Sequence, residues 1–128
     1  IESANITHWR YLPGMIPGNP HFNSFCADVH ADAIEKGWWE EGDRPFGEIV
    51  ALCHAELSEA LEEARDGRGY SEIYDRGDGK PEGIPVELAD VIIRIADFCG
   101  RHGIDLDHAI KIKREYNRTR PRRHGKAF

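Results

Sequence analysis

The chain has 128 residues, a net charge of −6, 40% hydrophobic and 31% charged residues. That length suits one domain with its own core, and that balance argues against a disordered chain. No apolar run approaches the roughly 20 residues of a membrane span, and the acidic balance disfavours a general nucleic-acid binder.

Residues 1–22 hold Pro13, Pro17 and Pro20 and no clear period, which predicts an irregular arm. Asn23 or Ser24 can cap a first helix from about Phe25 to Lys36, with Gly37 as its stop. "GWWEEGDRP" reads as a connection. A second helix is expected from Phe46 to Arg65. "DGRGYSEIYDRGDGKPEGIP" follows, a Gly- and Pro-rich loop of a length usually tied to function or mobility. A third helix is expected from Val86 to Arg101, with Pro85 near its first turn. Gly103 separates it from a fourth, starting at Asp105 or Leu106 and ending near Arg118, before Pro121. No alternating strand pattern and no repeat is visible. Four helices with mostly short connections predict an all-α, antiparallel four-helix-bundle-like fold. Cys26, Cys53 and Cys99 are widely spaced and sit in apolar helical contexts, which predicts buried thiols in a reducing compartment. With no visible secretory signal, the expected location is cytoplasmic.

The acids of the second and third helices stand in unusual places. At about 100° per residue, Ile49, Cys53, Leu57, Ala60, Leu61 and Ala64 form the apolar arc of the second helix. Its outward face is His54, Ser58, Glu62 and Arg65. Glu56, Glu59 and Glu63 lie on neither side but on a stripe with Leu52, at the border of the apolar arc. The third helix is apolar over roughly 220°, wider than a surface helix requires, and is expected to be central. Its polar residues are confined to one stripe: Glu87, Asp90, Arg94, Asp97 and Arg101. Carboxylates gathered near a core repel one another and lose hydration, so they need protons, basic partners or a cation. Arg94 can neutralise only part of the set. Glu56 with Glu59, and Glu87 with Asp90, are i, i+3 pairs, each on one helix face. Two such pairs facing each other would be an oxygen-rich site of the kind Mg²⁺ or Mn²⁺ prefers. Glu63 and Asp97 could be extra ligands, supporting groups around them, or ion-pair partners.

The fourth helix places Lys113 and Asn117 within an otherwise apolar side formed by Leu106, Ala109, Ile110, Ile112 and Tyr116. Arg120 would follow one turn later. A single such Lys is usually snorkelling, but the three together could hold an anion, phosphate being the obvious one. "RTRPRRHGK" could extend that cradle or be a solvated basic tail. Trp38 and Trp39 could pack in a core or interface, or one could stack on a nucleobase. His30 could line the same pocket or simply pack.

"HAELSEALEEAR", then "KPEGIPVELADVIIRIADFCGRHGIDL", then "KREYNRTRPRRHGK" resemble the MazG-like nucleotide pyrophosphohydrolases of the all-α NTP pyrophosphatase superfamily. The likeness rests on order and context: E-x-x-E, a variable loop, E-x-x-D inside an apolar helix, then K-x-x-x-N. It implies an all-α catalytic domain over residues 23–120, between the arm of residues 1–22 and a basic tail of residues 121–128. It implies a dimer or dimer of dimers, Mg²⁺ held by Glu56, Glu59, Glu87 and Asp90, and phosphate contacts from Lys113, Asn117 and Arg120. The implied reaction takes a nucleoside triphosphate to its monophosphate and pyrophosphate, a reaction that can cleanse a nucleotide pool. Water, deprotonated with help from Glu56 or Glu59, would attack phosphorus at the α–β linkage. Many members carry a further acid where this chain has Ala55, which leaves the number of metal ions open. Three rivals stand beside this reading. One is a phosphoribosyl-ATP pyrophosphohydrolase of the same architecture. Another is a non-catalytic helical dimerisation module whose acids pair with Arg94, Arg101 or a partner subunit. The third is a nucleic-acid-binding module using the basic tail, against which the acidic remainder of the chain argues.

Overall fold

The computed structural model describes residues 22–128, so the expected N-terminal arm lies outside the described residues. The described residues are predominantly helical, with four α-helices: α1 Phe22–Glu35, α2 Phe46–Arg65, α3 Ile84–His102 and α4 Leu106–Thr119. A 3₁₀ turn, Arg122–Gly125, follows α4. Two short strands, β1 Tyr74–Asp75 and β2 Pro81–Glu82, pair antiparallel with Tyr74 opposite Glu82. Among the described residues, no helix is long and apolar enough to cross a membrane.

Local chemistry accounts for the boundaries. Gly37 adopts φ +87°, and the amides of Gly37 and Trp38 donate to the carbonyls of Ile34 and Ala33. This left-handed closure ends α1 where a glycine was expected to end it. Pro45 precedes α2, which matches its expected span. α3 begins two residues before the expected Val86, because Pro85 fits a first helical turn, where its missing N–H costs nothing. Asp105 caps α4 by accepting from the His108 amide. Asn23 is not a cap; it lies inside α1.

The described residues fall into two compact units. The larger is Cys26–His102. Within it α2 and α3 run antiparallel. Phe46 meets Phe98 at a ring separation of 5.2 Å, and further along Glu56 meets Arg94. α1 lies against α3 at Gly100, where a β-carbon would overlap the Cys26 carbonyl oxygen and stand 2.7 Å from His30 Cβ. Gly100→Ala is therefore expected to lose about 1–2 kcal/mol of stability, although alanine is the better helix former. Thermal melting checks this; an unchanged or raised midpoint would mean that α1 does not depend on the close approach. Cys26 and Cys99 are buried and Cys53 is half-buried, and burial raises the Cys99 thiol above its ordinary range.

The other unit comprises residues 22–25 and Gly103–Phe128 in its described part. Here Asn23 Nδ2 donates to Asp105 Oδ1 at 2.8 Å, and the Asn23 amide donates to Asp107 Oδ2 at 3.0 Å. α4 buries none of its residues.

One expectation needs correction. α3 is not covered around most of its circumference: Leu88, Ile92, Ile93 and Ile95 are exposed, as are Leu57 and Leu61 of α2. The side of α2 that turns inward carries Ile49, Ala60, Glu56 and Glu63 instead. The hydrophobic arc read as one core is in part a surface.

Candidate metal and cleft site

The middle of the α2–α3 pair holds acids. Glu56, Glu87 and Asp90 each offer a carboxylate oxygen, and these oxygens lie within 4.8 Å of one another. Glu56 and Glu87 are buried and Asp90 is half-buried. Glu59 is exposed but adjoins the group through a carboxyl–carboxylate hydrogen bond with Glu87. Three of the four expected acids thus meet in one place, one from α2 and two from α3, with Glu59 exposed beside them.

The cost of this crowding is visible in proton affinity. Burial first, then the hydrogen bond and negative charge of Glu59, then the charges of Glu56 and Asp90, push Glu87 up to about 7. Asp90 is raised by burial, by a hydrogen bond with Glu56 and by the Glu56 charge, against the lowering effect of Arg94. Glu87 Oε2 is fully buried with no hydrogen-bond partner. A buried carboxylate oxygen without a donor is unfavourable unless a proton or cation meets it. An all-oxygen, all-carboxylate donor set with such an orphan fits a hard divalent cation such as Mg²⁺ or Mn²⁺.

Arg94 supplies part of the missing charge. Its Nη2 donates to Glu56 Oε1 at 3.1 Å. The other two supporting acids point elsewhere. Glu63 accepts from the Tyr74 hydroxyl at 2.8 and 2.9 Å, and Arg76 Nη2 stands 3.5 Å away. The Arg68 guanidinium lies 3.6 Å over the Tyr74 ring. Glu63 therefore fastens the β1–β2 hairpin to the end of α2. Asp97 stands 2.8 Å from His30 Nδ1 and accepts from Trp39 Nε1 at 3.0 and 3.1 Å. It ties α1, the connection and α3 together.

A cleft of about 490 Å³ opens beside the acids, reaching from Asp90 and Arg94 to Trp38, with Val29, Leu52 and Ile93 among its apolar walls. This volume is in the range of small-molecule sites. Trp38 is 66% exposed and offers a flat face there. Trp39 and His30 are absent from its lining. Trp39 is buried, sits edge-on to His30 with ring centres 5.4 Å apart, and carries the Arg101 guanidinium 4.9 Å over its ring. Of the three residues considered for a base pocket, only Trp38 faces the cleft; Asp97 holds the other two in packing roles.

Lys113, Asn117 and Arg120 belong to the unit that contains α4. Lys113 Nζ and the Arg120 guanidinium flank the Tyr116 ring at 5.1 and 5.5 Å, and Asn117 is exposed. Tyr74, Arg76, Lys36 and Arg44 were not singled out from the sequence. Lys36 and Arg44 line the cleft, and only the turn of the GWWEEGDRP connection brings them there. No family model matches the chain, and no curated protein or solved structure matches it.

Proposed function

We propose that the protein is a Mg²⁺-dependent nucleoside triphosphate pyrophosphohydrolase of MazG-like type, forming a nucleoside monophosphate and pyrophosphate. One observation carries the reading: Glu56, Glu87 and Asp90 converge beside an open cleft, with Glu87 Oε2 buried and unpartnered. A carboxylate-held cation beside an open cleft suits a polyphosphate, whose oxygens it would neutralise. When bound, Mg²⁺ or Mn²⁺ supplies charge that neutralises phosphate oxygens and favours ionisation of the attacking water.

The chain's own residues do the rest. Glu56, Glu87 and Asp90 hold the cation. Glu56 already accepts from Arg94, while Glu59 is exposed at the edge of the group, so Glu59 is the better-placed acceptor for the proton of the attacking water. Trp38 provides a stacking face for the base. Lys113, Asn117 and Arg120, in the unit that contains α4, are the residues the MazG resemblance would assign to phosphate. The exposed Leu57, Leu61, Leu88, Ile92 and Ile95 on α2 and α3 support a homo-oligomer, a dimer or dimer of dimers.

The same exposed stripes, with the Arg94–Glu56 pair, are what a non-catalytic dimerisation module would also present. A panel of ribo- and deoxyribonucleoside triphosphates with phosphoribosyl-ATP, assayed with Mg²⁺ and with chelator, separates the readings. Monophosphate from at least one nucleoside triphosphate, only with metal, is the expected result. Turnover of phosphoribosyl-ATP alone would favour that specialised hydrolase. No turnover, with no Mg²⁺ effect on melting, would favour the dimerisation module.

A further inference from the structure

Arg94 stands where a cation site tolerates a positive charge least. Its Nη2 donates to Glu56, one of the three converging carboxylates, at 3.1 Å. The Glu56 side chain is 10% exposed and the Arg94 side chain 33%. Arg94 Nε is buried and unpartnered, and the side chain also borders the cleft. A guanidinium has five N–H donors in a planar fork that suits phosphate oxygens. Arg94 therefore touches both compartments of the site, the acids on one side and the space for an anion on the other.

The charge has two opposed effects. It offsets part of the repulsion among the acids. It also repels an arriving divalent cation, by an amount that lowers affinity roughly tenfold at a separation of a few ångströms even with aqueous screening. A polyphosphate reverses the second effect, since the guanidinium then attracts the metal's own counter-anion.

We propose that Arg94 is an internal counter-cation that keeps the carboxylate site weak toward bare divalent cations and yields to metal arriving with a polyphosphate. The proposal rests on Glu56, Glu87 and Asp90 being metal ligands. Arg94 is a positioning residue in this role: it acts through Glu56 and through the anion. Because linkage is reciprocal, metal and polyphosphate strengthen each other's binding by the same factor, and that factor depends on Arg94.

The test is a Mn²⁺ titration of the metal-free full chain at pH 8, with free Mn²⁺ read by electron paramagnetic resonance. It is run with and without methylenediphosphonate, with protein-free blanks for chelation. Arg94→Gln is expected to bind bare Mn²⁺ about tenfold more tightly than wild type, while Arg94→Lys stays close to wild type. The diphosphonate is expected to tighten Mn²⁺ binding by at least about fivefold more in wild type than in Arg94→Gln. A merely structural role for Arg94 predicts loss of affinity on substitution, never gain. If Arg94→Gln fails to fold, as judged by circular dichroism, Arg94→Met takes its place with the same expectation. Equal or weaker Mn²⁺ binding by the charge-free variant overturns this proposal alone. No Mn²⁺ binding by any form, wild type included, overturns the metal reading and the proposal with it.

Discussion

Asp90→Asn is expected to lower triphosphate turnover by at least about 10²–10³-fold while the helical fold survives. Asp90 is half-buried, lies with Glu56 and Glu87 inside a 4.8 Å group, and borders the cleft. Asparagine keeps its shape and one carbonyl oxygen but removes the charge. Under the proposed function a divalent cation would lose a ligand, and the polyphosphate would lose its anchor. Stability should move the other way. Asp90 is raised by burial and by the neighbouring Glu56 carboxylate, so its ionised form is a burden on the metal-free fold at neutral pH. The variant is expected to melt no lower than wild type without metal at pH 8, and to lose the stabilisation that Mg²⁺ gives wild type. Glu59→Gln is expected to share the loss of turnover. Full activity in either variant would sink the assignment of these acids.

The second large effect is on stability against pH. Glu87 is raised from 4.5 to about 7 by burial, by its hydrogen bond with Glu59 and by surrounding negative charge. Between those values the folded chain holds a proton that the unfolded chain has released. Stability therefore falls as pH rises through this window, and the full cost is present above it. Asp90, raised in the same direction, adds to the fall. The Glu87 contribution is on the order of 2–3 kcal/mol, or a drop in melting midpoint of roughly 5–10 °C. Metal-free protein is thus expected to melt higher near pH 5 than near pH 8. Mg²⁺ should recover the difference at pH 8, where the carboxylates are ionised, and do little at pH 5, where protons occupy the site. Melting curves at both pH values with metal and with chelator check this. A midpoint that does not depend on pH or metal would mean that the acids do not burden one another as their placement implies.

The sequence allowed some of this to be read and hid the rest for physical reasons. The span of α2 was legible because Pro45 and Asp66–Gly67 bracket a continuous run of good helix formers. Glu56, Glu87 and Asp90 were legible as a group because Glu56 lies at the border of the apolar arc of α2 and Glu87 with Asp90, at i, i+3, shares the one polar stripe of α3. Leu57 and Leu61 were misread because periodicity reports an apolar face, not what covers it: a core face and a face for a partner have the same spacing. The β1–β2 hairpin was invisible because two-residue strands carry no alternation. Its turn chemistry was present in Asp75, Gly77 and Gly79, where the Asp75 carboxylate accepts from both glycine amides. The role of Asp97 was beyond one-dimensional reading. It depends on His30 and Trp39, 67 and 58 positions away, arriving at one carboxylate. The same limit applies to Glu63, whose partner Tyr74 lies in a loop that reads only as polar and glycine-rich.

The proposed function has the acids of α2 and α3 serve cleavage between the α and β phosphates of a nucleoside triphosphate. Phosphorus NMR of the products formed from the best triphosphate in isotopically labelled water, with Mg²⁺ and with chelator, tests it most directly. The expected result is monophosphate plus pyrophosphate, formed only with metal, with the heavy oxygen on one of the two products and no orthophosphate. Release of orthophosphate, or equal turnover in chelator, would contradict it.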